Sequence, residues 1–259
     1  MSPKYKNDSL GTRMKDYEAV PKHFLMRRTP VIIRLDGKAF HTFTRRINES
    51  NDPSMRDGPF SEKLHWVMTR TMVDLCNNIQ NAKIAYTQSD EISILLTDWE
   101  KFTTDQWFNG NIQKIASVSA SMATAYFNYH WQNAFTVTAG LAFFDSRVFN
   151  LPKEEVNNYF LWRQNDASRN SVQMLGHHHF SQKQMHGKNN SQVQDMLMLE
   201  KNINWNDIKT WMKRGSCFHT KTVPTGQMWL DEEIPIFSQD REYISQYVTE
   251  ISNGATTNP

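Results

Sequence analysis

Val31-Ile32-Ile33-Arg34-Leu35-Asp36-Gly37-Lys38-Ala39-Phe40-His41 is the stretch that decides how this chain is read. Side chains alternate across a strand, so Val31, Ile33 and Leu35 fall on one face while Ile32, Arg34 and Asp36 fall on the other. The strand ends on a carboxylate. Gly37 follows directly, and without a Cβ the backbone there can turn sharply and lie close to a ligand. An acid and an open carbonyl therefore stand together at one strand end.

A second stretch answers the first. Ile84-Ala85-Tyr86-Thr87 and Ile92-Ser93-Ile94-Leu95-Leu96 read as strands joined through Gln88-Ser89-Asp90-Glu91, a hairpin with two acids at its tip. If these strands share a sheet with the first, Asp36 and Asp90 meet at its end. Paired hard-oxygen ligands on rigid strands suit Mg²⁺, which keeps several waters and completes its shell with one or two carboxylates and a substrate phosphate. Such geometry belongs to nucleotidyl transfer. Alone, an Asp-Gly after a strand is an ordinary turn and a Ser-Asp-Glu tip is ordinary polar surface; the pairing of the two carries the argument.

Between them, Phe60, Leu64, Val67, Met68, Met72 and Leu75 follow helical spacing and predict an amphipathic helix from Phe60 to Asn77. Strand, helix and hairpin make the first half of a ferredoxin-like unit with a right-handed crossover. A second helix is expected from about Asn111 to His130, its small residues Ala116, Ser119 and Ala123 allowing close approach to the sheet. A further strand is expected within Phe135 to Phe144, with Asp145 and Arg147 just beyond it. The fold class is thus α+β: a ferredoxin-like βαββαβ polymerase palm domain with an additional helical and strand C-terminal region. Residues 1–150 are expected to form the palm with an N-terminal extension, 151–224 a helical part packed on it, and 225–259 a partly disordered tail.

The polar run from Thr42 to Pro59 reads as a long loop. Leu151-Pro152 opens a third helix, which Gly176 is expected to stop. Arg163, Gln164 and Asn170 lie close to its apolar stripe, where either a buried hydrogen-bond network or contact with substrate would satisfy them. Consecutive His177, His178 and His179 cannot all point one way and have no partners for a zinc site; contact with phosphate or RNA suits them better. Lys188 stands just before a helix starting near Ser191, where N–H groups and a cation can hold a phosphate together. A short helix follows from Asn204-Trp205 to near Gly215, then a strand within Ser216 to Val223.

Composition narrows the class. The 259 residues carry a net charge of +2 and are 39% hydrophobic, with a mean hydropathy of −0.65. Met1 to Leu10 has no apolar signal core, and no apolar run approaches the roughly 20 residues that span a bilayer. A cytoplasmic protein with no membrane segment is expected. Cys76 and Cys217 supply neither a disulfide framework nor a zinc site. The charge is too small to announce nucleic-acid binding, which must rest on local clusters such as Arg27-Arg28, Arg45-Arg46 and Lys213-Arg214.

Taken in order, Arg34 to His41, Gln88-Ser89-Asp90-Glu91, Phe144-Asp145-Ser146-Arg147-Val148, Leu161-Trp162-Arg163-Gln164-Asn165-Asp166 and Arg214-Gly215-Ser216 resemble the tRNA(His) guanylyltransferase family. The likeness covers most of residues 10 to 220 and points to the family's tRNA guanylyltransferase-like branch. It implies the palm fold and an unusual direction of synthesis. ATP activates a tRNA 5′-phosphate, the 3′-hydroxyl of an incoming NTP attacks it, and the RNA grows 3′-to-5′.

On that resemblance, Asp36, the Gly37 carbonyl and Asp90 would hold two Mg²⁺, with Glu91 a further ligand or an outer orienting group. Lys38, Ala39, Phe40 and His41, with Ser89, would hold the triphosphate. The family's triphosphate lysine has no match, and Arg45, Arg46 or Arg56 is the candidate replacement. Arg34, Arg163, Asn170, Lys188 and Arg214 would touch tRNA or its phosphates. Partners implied are tRNA, ATP, GTP or other NTPs, and three further copies of the chain in a homotetramer.

Where eukaryotic members read His-Ile-Asn-Asn, this chain reads Ser168-Arg169-Asn170-Ser171. That favours templated repair of 5′-truncated tRNA over fixed addition of a 5′ G to tRNA(His). A palm-type nucleotide cyclase would use the same acids on a different acceptor, and a non-catalytic RNA-binding module would keep the basic clusters without needing Asp36 or Asp90.

Overall fold

The computed structural model describes residues 9–49, 58–101, 103–135, 140–220 and 228–249. Among these the strands are β1 (Val31–Gly37), β2 (Ala82–Gln88), β3 (Glu91–Leu96), β4 (Phe144–Asn150), β5 (Ser216–His219) and β6 (Trp229–Asp231). The helices are α1 (Ser9–Ala19), α2 (Phe40–Asn48), α3 (Glu62–Asn78), α4 (Ile112–Ala134), α5 (Lys153–His179), α6 (Gln182–Met185), α7 (Asn190–Lys201), α8 (Thr210–Arg214) and α9 (Glu242–Ser245).

The strands form one sheet in the order β4-β1-β3-β2-β5-β6, antiparallel throughout. Its first four strands, with α3 between β1 and β2 and α4 between β3 and β4, are the expected βαββαβ unit. Strands β5 and β6 extend it beyond β2.

The alternation in β1 sorts two cores. Val31, Ile33 and Leu35 pack with Met68, Met72 and Leu75 of α3 and Phe127 of α4. Ile32 packs on the opposite face with Ile84, Tyr86 and Leu95, under Val156 and Phe160 of α5 and Ile234, Phe237, Ile244 and Val248. Ile32 and Ile33 are both 0% exposed, each burial contributing about 1.5–3 kcal/mol. A slip of one residue would exchange the two faces, so packing fixes the register that places Asp36. The start of α3 is capped by Ser61, whose hydroxyl accepts from the Leu64 amide at 3.1 Å.

Four expectations are corrected. The first half of the expected loop is helix α2. Phe40, Phe43 and Ile47 are buried on one side of it, and the rings of Phe40 and Phe43 meet Phe127 and Trp131 of α4 at 5.2 and 5.0 Å. Aromatic packing outweighs the polar composition.

The fourth strand lies later than expected. Residues 140–143 form no strand; Asn128 of α4 binds both the Ala142 amide, at 3.0 Å, and its carbonyl, at 2.9 Å. Asp145 and Arg147 therefore sit within β4, paired with Asp36 and Arg34.

Gly176 does not end α5, which continues to His179. A Cβ there would lie 2.5 Å from Met185 Cε and 2.6 Å from Val193 Cγ1. The glycine serves the close packing of α5 on α6 and α7, not a helix stop.

The segment from Asn204 to Gly215 is a 3₁₀ turn, Trp205–Asp207, followed by the separate α8.

Residues 228–249 carry β6 and four side chains of the second core. The expectations for Arg56, for residues 221–227 and for 250–259 lie outside the described residues.

Candidate active site

Strand β1 and the β2–β3 hairpin converge at one end of the sheet. Gln88 pairs with Glu91 across a two-residue turn, in which Ser89 takes a left-handed φ of 51°. The Gly37 amide donates to the Asp90 carbonyl at 3.0 Å, so the hairpin tip is fastened to the end of β1. Asp36 and Asp90 are brought together as the sequence predicts.

In register, Asp36 stands between Glu91 on β3 and Asp145 on β4. Arg147 reaches both Asp36 and Asp145 at 3.6 Å. Glu91 is 6% exposed and takes two hydrogen bonds of 2.7 Å from Arg163 of α5, which also binds Asp166 at 3.1 Å. Burial raises the Glu91 carboxyl while the Arg163 hydrogen bond opposes the rise. Burial pushes Asp90 up to about 6, and the charge of Asp36 adds to the shift.

At Gly37 the missing Cβ makes room for a neighbouring ring. A Cβ would lie 2.3 Å from Phe40 Cδ2. The left-handed turn falls two residues later, at Ala39 with φ 56°, which starts α2 without a side-chain cap. The first turn of α2 thus presents backbone N–H groups with no capping side chain, a ready anion site. Lys38 is different, because its amide donates to the Phe143 carbonyl at 2.8 Å.

These groups open onto a cleft of about 990 Å³ between α2, α3, α5 and α8. Gly37, Ala39, Phe40, His41, Ser89, Asp90 and Asn170 line it, as do His177 and His178. Asp36 turns its carboxylate to the other side of the sheet end, towards Arg147.

Several predicted contacts stand elsewhere. Arg34 and Arg163 lie on the α5 side of the sheet, each near the Trp162 ring. The Nε of Arg214 donates to the Ile234 carbonyl at 3.0 Å. Lys188 is exposed, and the helix start beside it is closed by a reciprocal capping box between Asn189 and Gln192. Arg45 is exposed and 3.8 Å from Glu49; neither it nor Arg46 lines the cleft.

Among the described residues no three His, Cys, Asp or Glu side chains converge as metal ligands. Asp36 and Asp90 nevertheless put two carboxylates at one end of the sheet, with Asp36 paired to Arg147. Magnesium takes one or two carboxylates and completes its shell with water and substrate phosphate, so the oxygen chemistry of these residues fits that ion.

Residues 11–152 match the family model described as Thg1, tRNAHis guanylyltransferase. The chain belongs to the Thg1 family.

A bacterial Thg1-like protein solved in complex with ATP superposes with a TM-score of 0.85 at 47% identity, covering 93% of this chain and 99% of that one. A bacterial Thg1-like protein in complex with GTP gives a TM-score of 0.76 at 41% identity, with 93% and 99% covered. The tRNA(His) guanylyltransferase of Debaryomyces hansenii is 26% identical over 212 residues, 75% of each chain. As a Thg1-family member the protein is a nucleotidyltransferase with the palm-like fold.

One wall of this Thg1-family cleft was not foreseen. His65 of α3 and Trp211 of α8 stack with centroids 4.0 Å apart and planes 9° from parallel. Glu232 fixes the His65 ring at 2.8 Å. His65 and Trp211 both line the cleft. The three residues come from remote segments, and no local pattern signals them.

Proposed function

We propose that this Thg1-family enzyme extends RNA in the 3′-to-5′ direction, adding nucleotides to the 5′ end of tRNA and repairing 5′-truncated tRNA by pairing against the 3′ strand. The single observation that carries this reading is Asp90 in the wall of a cleft that also holds the uncapped start of α2, with Asp36 at the end of the strand to which the Asp90 hairpin is fastened. A carboxylate pair beside an anion-binding helix start is what transfer to or from a triphosphate requires. The likeness to bacterial Thg1-like proteins solved with ATP and with GTP supports ATP and GTP as ligands of the cleft.

In the first step an oxygen of the RNA 5′-phosphate attacks the α-phosphorus of ATP, and pyrophosphate leaves. In the second, the 3′-hydroxyl of an NTP loses its proton and attacks the activated 5′-phosphorus, and AMP leaves. Asp36 and Asp90 would hold Mg²⁺ with the Gly37 carbonyl, and the bound ion would supply Lewis acidity and charge neutralisation at the reacting phosphates. The Phe40 and His41 amides take the triphosphate oxygens, and Ser89 sits beside Asp90 at the rim. Glu91, held by Arg163, keeps the hairpin in register with β1. Asn170 lines the cleft where eukaryotic members carry their His-Ile-Asn-Asn block, and loss of that block supports choice of nucleotide by the template strand.

The test is a labelled tRNA lacking its first 5′ nucleotide, incubated with Mg²⁺, ATP and each NTP in turn. Addition of only the nucleotide complementary to the 3′ strand is expected. Addition of G whatever base stands opposite would assign guanylyltransferase activity proper. No addition even to a 5′-triphosphorylated RNA would sink the reading. Four copies per assembly, as the family resemblance implies, would appear as a tetramer in sedimentation velocity.

A further inference from the structure

Beyond the cleft, the α5-side face of β1 and β4 is buried at Ile32 and left open towards the Asp36 end. Arg34, Asp36, Asp145 and Arg147 stand at that end, and the last three are 38%, 57% and 48% exposed at the side chain. Trp162 of α5 stands at its border and is 49% exposed. The indole is flanked by two guanidiniums, with Arg163 at 4.5 Å and Arg34 at 5.7 Å from the ring centroid. Arg163 is itself locked by Glu91, and Tyr159 meets the indole edge at 6.0 Å. Arg34 Nε is buried with no hydrogen-bond partner among the described residues.

A solvent-exposed aromatic side chain beside cations is the usual platform for an unpaired or terminal nucleobase. Its position matters as much as its chemistry. Arg34 and Asp36 are two residues apart on one strand face, about 7 Å along the strand. That is about the reach from a nucleotide's 5′-phosphate to its base. The carboxylates are thus approached from two sides, by the nucleotide cleft past Asp90 and by this open face past Asp36.

We propose that Trp162 is the stacking platform for the 5′-terminal base of the RNA acceptor, and that Arg147 meets the phosphate of that nucleotide beside Asp36. The inference rests on the 3′-to-5′ transfer reading and assigns its second substrate a place outside the cleft. Stacking on an indole is tolerant of base identity, which suits an end whose sequence changes with every addition.

Two measurements test it. Trp162→Ala is expected to raise the KM for 5′-truncated tRNA about tenfold while the KM for ATP stays within about twofold; Trp162→Phe should retain most of the wild-type RNA affinity. Independently of any variant, the wild-type protein bound to RNA with 5-iodouridine at its 5′ end should crosslink under ultraviolet light to the peptide containing Trp162. An unchanged RNA KM in a folded Trp162→Ala, or crosslinks confined to cleft peptides, would overturn the platform. Crosslinking at Trp162 by a protein that adds no nucleotide would support the platform and count against the transfer reading alone.

Discussion

Arg163 grips both oxygens of Glu91 at 2.7 Å in a pair that is 8% exposed on each side. The carboxylate next to Asp90 in sequence is therefore held by helix α5. Arg163→Met leaves that buried charge without its paired cation, at a cost of about 3–5 kcal/mol. The double variant Glu91→Gln/Arg163→Met is expected to lose much less. Urea unfolding of the three proteins measures the difference, and equal losses in the single and double variants would refute the coupling.

Asp90 works against the fold that holds it. Its ordinary carboxyl value is 3.8, and burial followed by the Asp36 charge pushes it up to about 6. Between those pH values the folded chain keeps a proton that the unfolded chain releases, so this group's contribution falls as pH rises through the window. Asp90→Asn should be more stable than wild type at pH 7 without divalent cations, by about 3 kcal/mol. The gap should close below about pH 4 and narrow when Mg²⁺ is added to the wild type. The same variant should lose at least about 10²-fold in nucleotide addition, and a variant both less stable and fully active would contradict this account.

Gly37 and Ala39 divide two tasks usually given to one glycine. Gly37→Ala drives a Cβ into the Phe40 ring and should destabilise by about 1–3 kcal/mol. Ala39→Gly relieves a left-handed residue and should be neutral or up to about 1 kcal/mol stabilising. Thermal unfolding of both variants checks the opposite signs.

His219 is 1% exposed and shares hydrogen bonds with Tyr243 and Tyr247 while stacking on Trp229. Tyr243 in turn donates to Asp231 at 2.7 Å. Burial lowers the imidazole to about 4. The unfolded chain then binds the extra proton between about pH 6.5 and 4, so the stabilisation is complete above 6.5 and is lost as pH falls. His219→Gln should cost most at pH 7, and its difference from wild type should shrink steadily to pH 4. A pH-independent difference would show that the ring does not titrate this way.

Much of this architecture was written in local pattern. Strand β1 carried its two faces in plain alternation, and the hairpin carried its turn, because both depend on near neighbours. Helix α2 was harder. Phe40, Phe43 and Ile47 have helical spacing, yet Thr, Arg and Asn fill the rest, and only the rings of α4 make the helix worthwhile. Gly176 misled because a missing side chain signals a stop and a close contact equally well. Asp36 and Asp90 could be paired from the sequence because sheet topology forces their meeting. Nothing local joins His65 to Trp211 and Glu232, or Trp162 to Arg34, since those contacts exist only once separate elements dock.

The sheet order has a consequence for how the protein is made. The β2–β3 hairpin closes over a few residues, but β1 is flanked on its other side by β4, with Val31 opposite Asn150. Non-local pairing of this kind is slow, and domains emerge from the ribosome N-terminal end first. Until Asn150 has been synthesised, one side of β1 is a bare apolar edge that invites pairing with another chain. A nascent polypeptide therefore carries both aspartates well before it can hold them in place, and pauses in translation ahead of β4 would expose the strand on which the whole site depends.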